Sequence, residues 1–83
     1  MTVTEQKIRE QYDRVLAGVA SREAVSKWAE EVQHAVDDRT VRFVPSAKEE
    51  RLWDAICFLL MVDTVSLAED YLYSAEDIRL NRP

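Results

Sequence analysis

Turn-forming residues are almost missing from this chain. Its 83 residues include one Gly and two Pro. Tight hairpins draw on Gly, Pro and Asn-Gly pairs, so few can form here. Helices need none of them, and the chain is expected to be built from helices joined by short loops. Hydrophobic residues make up 47% and charged residues 33%, which supports a packed core and is unlike a disordered chain. A chain of this length fits one domain over residues 1–83.

Periodicity places the helices. Ile8, Tyr12, Val15, Leu16 and Val19 recur at helical spacing, giving one face of a helix from about Thr4 to Ala17. Thr4 suits its N-cap and Gly18 the C′ position beyond its end. Ser21 then caps a second helix, in which Ala24, Val25, Trp28, Ala29, Val32 and Val36 repeat at three and four. Arg22, Lys27, Glu30 and Glu31 fall on its opposite, solvated face, and Asp37-Asp38 ends it. In residues 37–45, Val41, Phe43 and Pro45 alternate with Arg42 and Val44. A lone strand has no partner, so this piece reads as a loop that tucks Phe43 into the core.

Pro45-Ser46 opens the third helix, with Ser46 and Glu49 spaced as a capping box. Leu52, Ile56, Leu59 and Leu60 share one face, flanked by Trp53, Cys57 and Met61. A helix this apolar belongs at the centre, and it is expected to end near Asp63 or Thr64. Ser74 with Asp77 has the S-x-x-D form that starts a short last helix over Ala75 to Leu80. The expected fold is all-α: a small antiparallel helical bundle of three main helices plus a short C-terminal fourth. Its expected core is Ile8, Tyr12, Leu16, Val25, Trp28, Val32, Leu52, Ile56, Leu59 and Leu60.

Charge is uneven along the chain. The net charge is −5, yet residues 1–45 carry eight acids and seven bases. Between Arg51 and Arg79 there is no Lys, Arg or His, while Asp54, Asp63, Glu69, Asp70, Glu76 and Asp77 all fall there. Asp54 is isolated on the central helix. The rest surround Tyr71 and Tyr73, which in an extended segment would point the same way with Leu72 inward. Tyrosines rimmed by carboxylates suit a basic protein partner, and equally they can pin the tail onto the first and third helices. The candidate partner-binding residues are Asp63, Glu69, Asp70, Tyr71, Tyr73, Glu76 and Asp77. An acidic chain is expected to avoid nucleic acid and anionic membranes.

Chemistry finds little to work with. Glu31-x-x-His34 has the spacing of a di-iron ligand pair, but the pattern needs a second His and the chain has one. Cys57 is the only cysteine, so no internal disulfide can form, and its apolar run would raise the thiol pKa. One Gly excludes a phosphate-cradling loop. Ser21, Ser46 and Ser74 are explained as caps. The reading has no catalytic residues, no metal and no cofactor. A helix-turn-helix DNA reader would place Glu30 and Glu31 against phosphates, so it is set aside. The N-terminal ten residues hold no apolar export segment, and the longest strictly apolar run is Ala55 to Val62. A soluble cytoplasmic protein is expected.

Two stretches carry a resemblance. They are Ser21-Arg22-Glu23-Ala24-Val25-Ser26-Lys27-Trp28-Ala29 and Tyr71-Leu72-Tyr73-Ser74-Ala75-Glu76-Asp77-Ile78. Together they resemble small, acidic, helical bacterial immunity proteins, which neutralise a toxin made by the same cell or its kin. The last helix departs from that pattern, stopping at Leu80-Asn81-Arg82-Pro83. The resemblance implies a non-enzymatic inhibitor whose acidic surface docks on the basic cleft of a toxin, a nuclease above all. The alternative is a structural subunit or adaptor acting as a homodimer.

Overall fold

The computed structural model describes residues 1–66 and 70–83. In chain order they form strand β1 (Thr2–Thr4), helix α1 (Glu5–Leu16), helix α2 (Arg22–Asp37), strand β2 (Arg42–Val44), a 3₁₀ turn (Ser46–Lys48), helix α3 (Glu49–Leu60) and helix α4 (Ala75–Asn81). The strands pair in parallel, with Thr2 opposite Arg42, Val3 opposite Phe43 and Thr4 opposite Val44. The fold is therefore mixed α/β, and the all-α bundle is corrected. Residues 42–44 do have a partner. It is the segment just before α1, brought alongside by a crossover of two helices.

Alternation explains the pairing. Val3 and Phe43 face inward and are buried, while Thr2, Arg42 and Val44 are exposed. The short ribbon closes one end of the core by its single apolar face. Phe43 meets Trp53 edge to face, with ring centroids 6.5 Å apart.

The helices begin and end largely where their caps direct. Thr4 accepts a hydrogen bond from the Lys7 amide, and Ser21 accepts one from the Ala24 amide. Ser74 and Asp77 form a full capping box. The box expected at Ser46 does not form. That residue enters the 3₁₀ turn, and α3 starts at Glu49 with no side-chain cap. α3 also stops at Leu60, earlier than expected, where Met61 to Asp63 turn.

α2 and α3 run antiparallel. The Ser26 hydroxyl donates to the Leu60 carbonyl near one end, and Val36 approaches Glu49 and Trp53 near the other. Ile8, Tyr12, Val25, Val32, Leu52, Ile56 and Leu59 are fully buried, joined by Val3, Phe43, Val62 and Ile78. Leu16, Trp28 and Leu60 only pack against this core. Val19, placed on the apolar face of α1 by its spacing, lies past Gly18 and is 71% exposed. The Tyr12 hydroxyl donates to the Ala55 carbonyl at 2.7 Å, which satisfies the one polar atom of the largest buried side chain. Its burial raises the phenol's pKa.

Candidate functional site

The antiparallel helices give the molecule two ends. α2 has 16 residues and spans about 24 Å. At one end lie the ribbon, the starts of α1 and α3 and the finish of α2. At the other lie the start of α2, the finish of α3 and residues 62–66 and 70–74.

Cations gather at the sheet end. Glu5, in the first turn of α1, takes a salt bridge from Arg9 at 3.0 Å and another from Lys48 at 3.1 Å. The Lys48 hydrogen bond, helped by the charges of Arg9, Lys48 and Arg51, holds the Glu5 carboxyl below its ordinary pKa. Two cations thus bridge one carboxylate whose side chain is only 16% exposed, and Arg51 adds its charge from beyond ion-pair distance. Beside them the Lys7 ammonium donates to the Thr2 carbonyl, a neutral partner. Arg42 projects from the outer face of the ribbon. Arg39, Arg42 and Arg51 are exposed and enter no ion pair among the described residues. Asp37, Asp38, Glu49 and Glu50 are exposed at the same end, at the finish of α2 and the start of α3.

Arg39 is held in an unusual conformation. Its φ is 58°, the left-handed region. Its amide donates to the Val36 carbonyl and the Thr40 amide to the Ala35 carbonyl, which is a Schellman ending for α2 with Arg39 at C′. Gly18 occupies the same position after α1, with φ 74°.

The far end is arranged around Arg22. Its guanidinium donates to the Val62 carbonyl at 3.1 Å and the Tyr73 carbonyl at 2.5 Å. It also lies 4.3 Å from the centre of the Tyr71 ring. The Tyr71 hydroxyl donates to Glu23 at 2.8 Å, and this bond raises the tyrosine's pKa. Tyr71 forms an isolated antiparallel bridge with Val65.

Most of the residues expected to bind a partner are engaged within the chain. Asp77 closes the α4 capping box, and Glu76 pairs with Arg79. The Asp70 carboxylate accepts from the Tyr71 amide, and Asp63 is half-buried. Tyr71 is 39% exposed, whereas Tyr73 turns inward against Phe58, centroids 5.2 Å apart. The two tyrosines therefore diverge, and Leu72 points outward, 54% exposed. Glu69 lies outside the described residues. His34 is exposed, and no group of three or more potential ligands gathers for a metal among the described residues. Cys57 is half-buried, and desolvation with the nearby Asp54 charge pushes its thiol pKa up. No described helix is long and apolar enough to cross a membrane.

The molecule is thus a small α/β domain whose sheet end carries arginines unpaired among the described residues, alongside the exposed acids Asp37, Asp38, Glu49 and Glu50. It belongs to the family described as YxzC DNA-binding protein, whose model matches residues 2–81. The uncharacterized protein YxzC of Bacillus subtilis (strain 168) is 34% identical over 64 residues, covering 77% of this chain and 47% of the relative. The chain therefore spans about half the length of that relative. No solved structure matches it.

Family membership corrects three expectations. The immunity-protein resemblance gives way to a family with a different description, and with it the toxin-inhibitor function. A homodimeric adaptor draws no better support from that family. The expected avoidance of nucleic acid is overturned as well. That expectation summed charge over stretches of sequence. Lys7, Arg39, Arg42, Lys48 and Arg51 are scattered among acids along the chain, and pairing β1 with β2 brings their elements to one end. The available signal was the run from Arg39 to Arg51, with three cations between α2 and α3 and a fourth in the first turn of α3.

Proposed function

We propose that this chain binds DNA as a non-catalytic cytoplasmic module, through the cations of its sheet end. The family description over residues 2–81 carries the reading. The charge arrangement supports it. Lys7, Arg39, Arg42 and Arg51 have no carboxylate partner among the described residues, and the Arg9–Glu5–Lys48 cluster beside them holds more positive than negative charge. Phosphate contacts need mobile, exposed Lys and Arg of this kind.

Fluorescence anisotropy with a labelled duplex across a salt series tests this. Arg42→Ala combined with Arg51→Ala should weaken binding and reduce the salt slope by about two, one per lost phosphate contact. Arg14→Ala, at the opposite end of α1, should leave the slope unchanged. No salt-dependent binding by the native chain would refute the reading. An unchanged slope in the double variant would refute the assigned surface.

A further inference from the structure

Where the finish of α2 meets the start of α3, an open cleft of about 330 Å³ is lined by Val36, Phe43, Glu49, Glu50 and Trp53. Its apolar wall is made by the Phe43–Trp53 edge-to-face pair together with Val36. Its polar lining consists of two carboxylates. Glu49 and Glu50 are exposed, and their carboxylates make no hydrogen bond or ion pair among the described residues. Among the described residues no Lys, Arg or His lines the cleft.

Acids in the first turn of α3 favour the helix dipole. That accounts for their place on α3 and not for the aromatic wall they border. The lining selects its occupant by chemistry. An anion would face two carboxylates. A neutral apolar molecule would desolvate them without compensation. A molecule with an apolar body and a fixed positive charge satisfies both parts. The body displaces water from Val36, Phe43 and Trp53, the charge meets the carboxylates, and an indole beside a cation adds cation–π attraction. The volume lies at the small end of ligand sites. We propose that this cleft binds a small organic cation of the aryl-ammonium type. The proposal rests on the cleft's lining and not on the DNA reading, although both sites lie at the sheet end.

Titration of the protein with benzyltrimethylammonium, followed by the NMR signals of Trp53 and Phe43, tests it. Neutral benzyl alcohol and anionic phenylacetate are the comparison ligands. Saturable shifts at Trp53 and Phe43 are expected for the cation alone, with Trp28 unmoved. Trp53→Leu should weaken binding about ten-fold. Because Trp53 is half-buried, Glu49→Gln with Glu50→Gln provides a surface variant that leaves the core intact, and it should weaken binding by a similar factor. Shifts that do not saturate, equal shifts with benzyl alcohol, or undiminished binding in the glutamine variant would each overturn the proposal.

Discussion

The sheet end and the far end of this molecule hold their charges in opposite ways. At the far end, Arg22 bonds two carbonyls and covers a tyrosine ring, Glu23 and Asp70 each accept a hydrogen bond, and Asp77 caps a helix. At the sheet end, Arg39, Arg42 and Arg51 have no ion-pair partner among the described residues. A charge already engaged contributes to the fold and has little left for a ligand. A charge held on rigid backbone without a partner is available. The acidic interval was conspicuous in sequence, yet much of it stabilises local structure. The cations interleaved with acids are the freer groups.

Substitutions at the two ends should separate stability from binding. The largest effect is expected from Phe43→Ala. Phe43 is buried opposite Val3 and against Trp53, and its loss should cost about 3–5 kcal/mol in urea unfolding. A cost under about 1 kcal/mol would mean that the ribbon is an appendage and not part of the core.

Arg22→Ala comes next. It removes two hydrogen bonds to partly buried carbonyls and the contact with Tyr71, and about 2 kcal/mol of stability should go with them. Arg22→Lys should recover only part, because both bonds leave one guanidinium nitrogen but an ammonium lacks the planar face that lies over the Tyr71 ring. Neither change should reduce the salt slope of DNA binding. A reduced slope would place the far end in the interface and erase the contrast.

The chain announced some of this and hid the rest, for physical reasons. Thr4, Ser21 and the Ser74–Asp77 pair each act on an amide within three residues, so their caps are local and legible. Phe43 was placed in the core by alternation alone, which is also local. β1 was not legible. It is three residues long, and its partner lies about forty residues away across two helices. The Ser46 capping box failed because the 3₁₀ turn took that residue first. The grouping of the sheet-end cations was illegible for the same reason as β1, since it depends on a non-local pairing.

A smaller effect should divide the two Schellman endings. Gly18 and Arg39 occupy equivalent positions at positive φ. Glycine bears no steric cost there, while arginine loses about 1 kcal/mol or more against its Cβ. Arg39→Gly should therefore raise stability by roughly 1 kcal/mol. If Arg39 contacts phosphate, the same change should weaken DNA binding and lower the salt slope by about one. Gly18→Ala, at the end of α1, should cost roughly 1 kcal/mol. Opposite signs at equivalent positions are expected. An Arg39→Gly variant that is stabilised and binds DNA normally would remove Arg39 from the interface while leaving the cap argument intact.

The smallest effect concerns acid. Glu5 at the sheet end and Glu23 at the far end are both held below their ordinary pKa. For Glu5 the leading cause is the Lys48 hydrogen bond, with three cationic charges adding to it. For Glu23 it is the residue's own backbone amide, then the Tyr71 hydroxyl. A carboxyl depressed in the folded state adds stability that is complete above its unfolded pKa, and that stability is lost as pH falls through the folded value. Both contributions should be present at about pH 6 and fade toward about pH 3. Glu5 is the more enclosed of the two and gathers full charges, so Glu5→Gln should flatten the acid-side fall in urea midpoint more than Glu23→Gln. Equal flattening would mean that the cations around Glu5 are as loosely held as surface pairs elsewhere. The sheet end would then lack the ordered cluster from which its free arginines project.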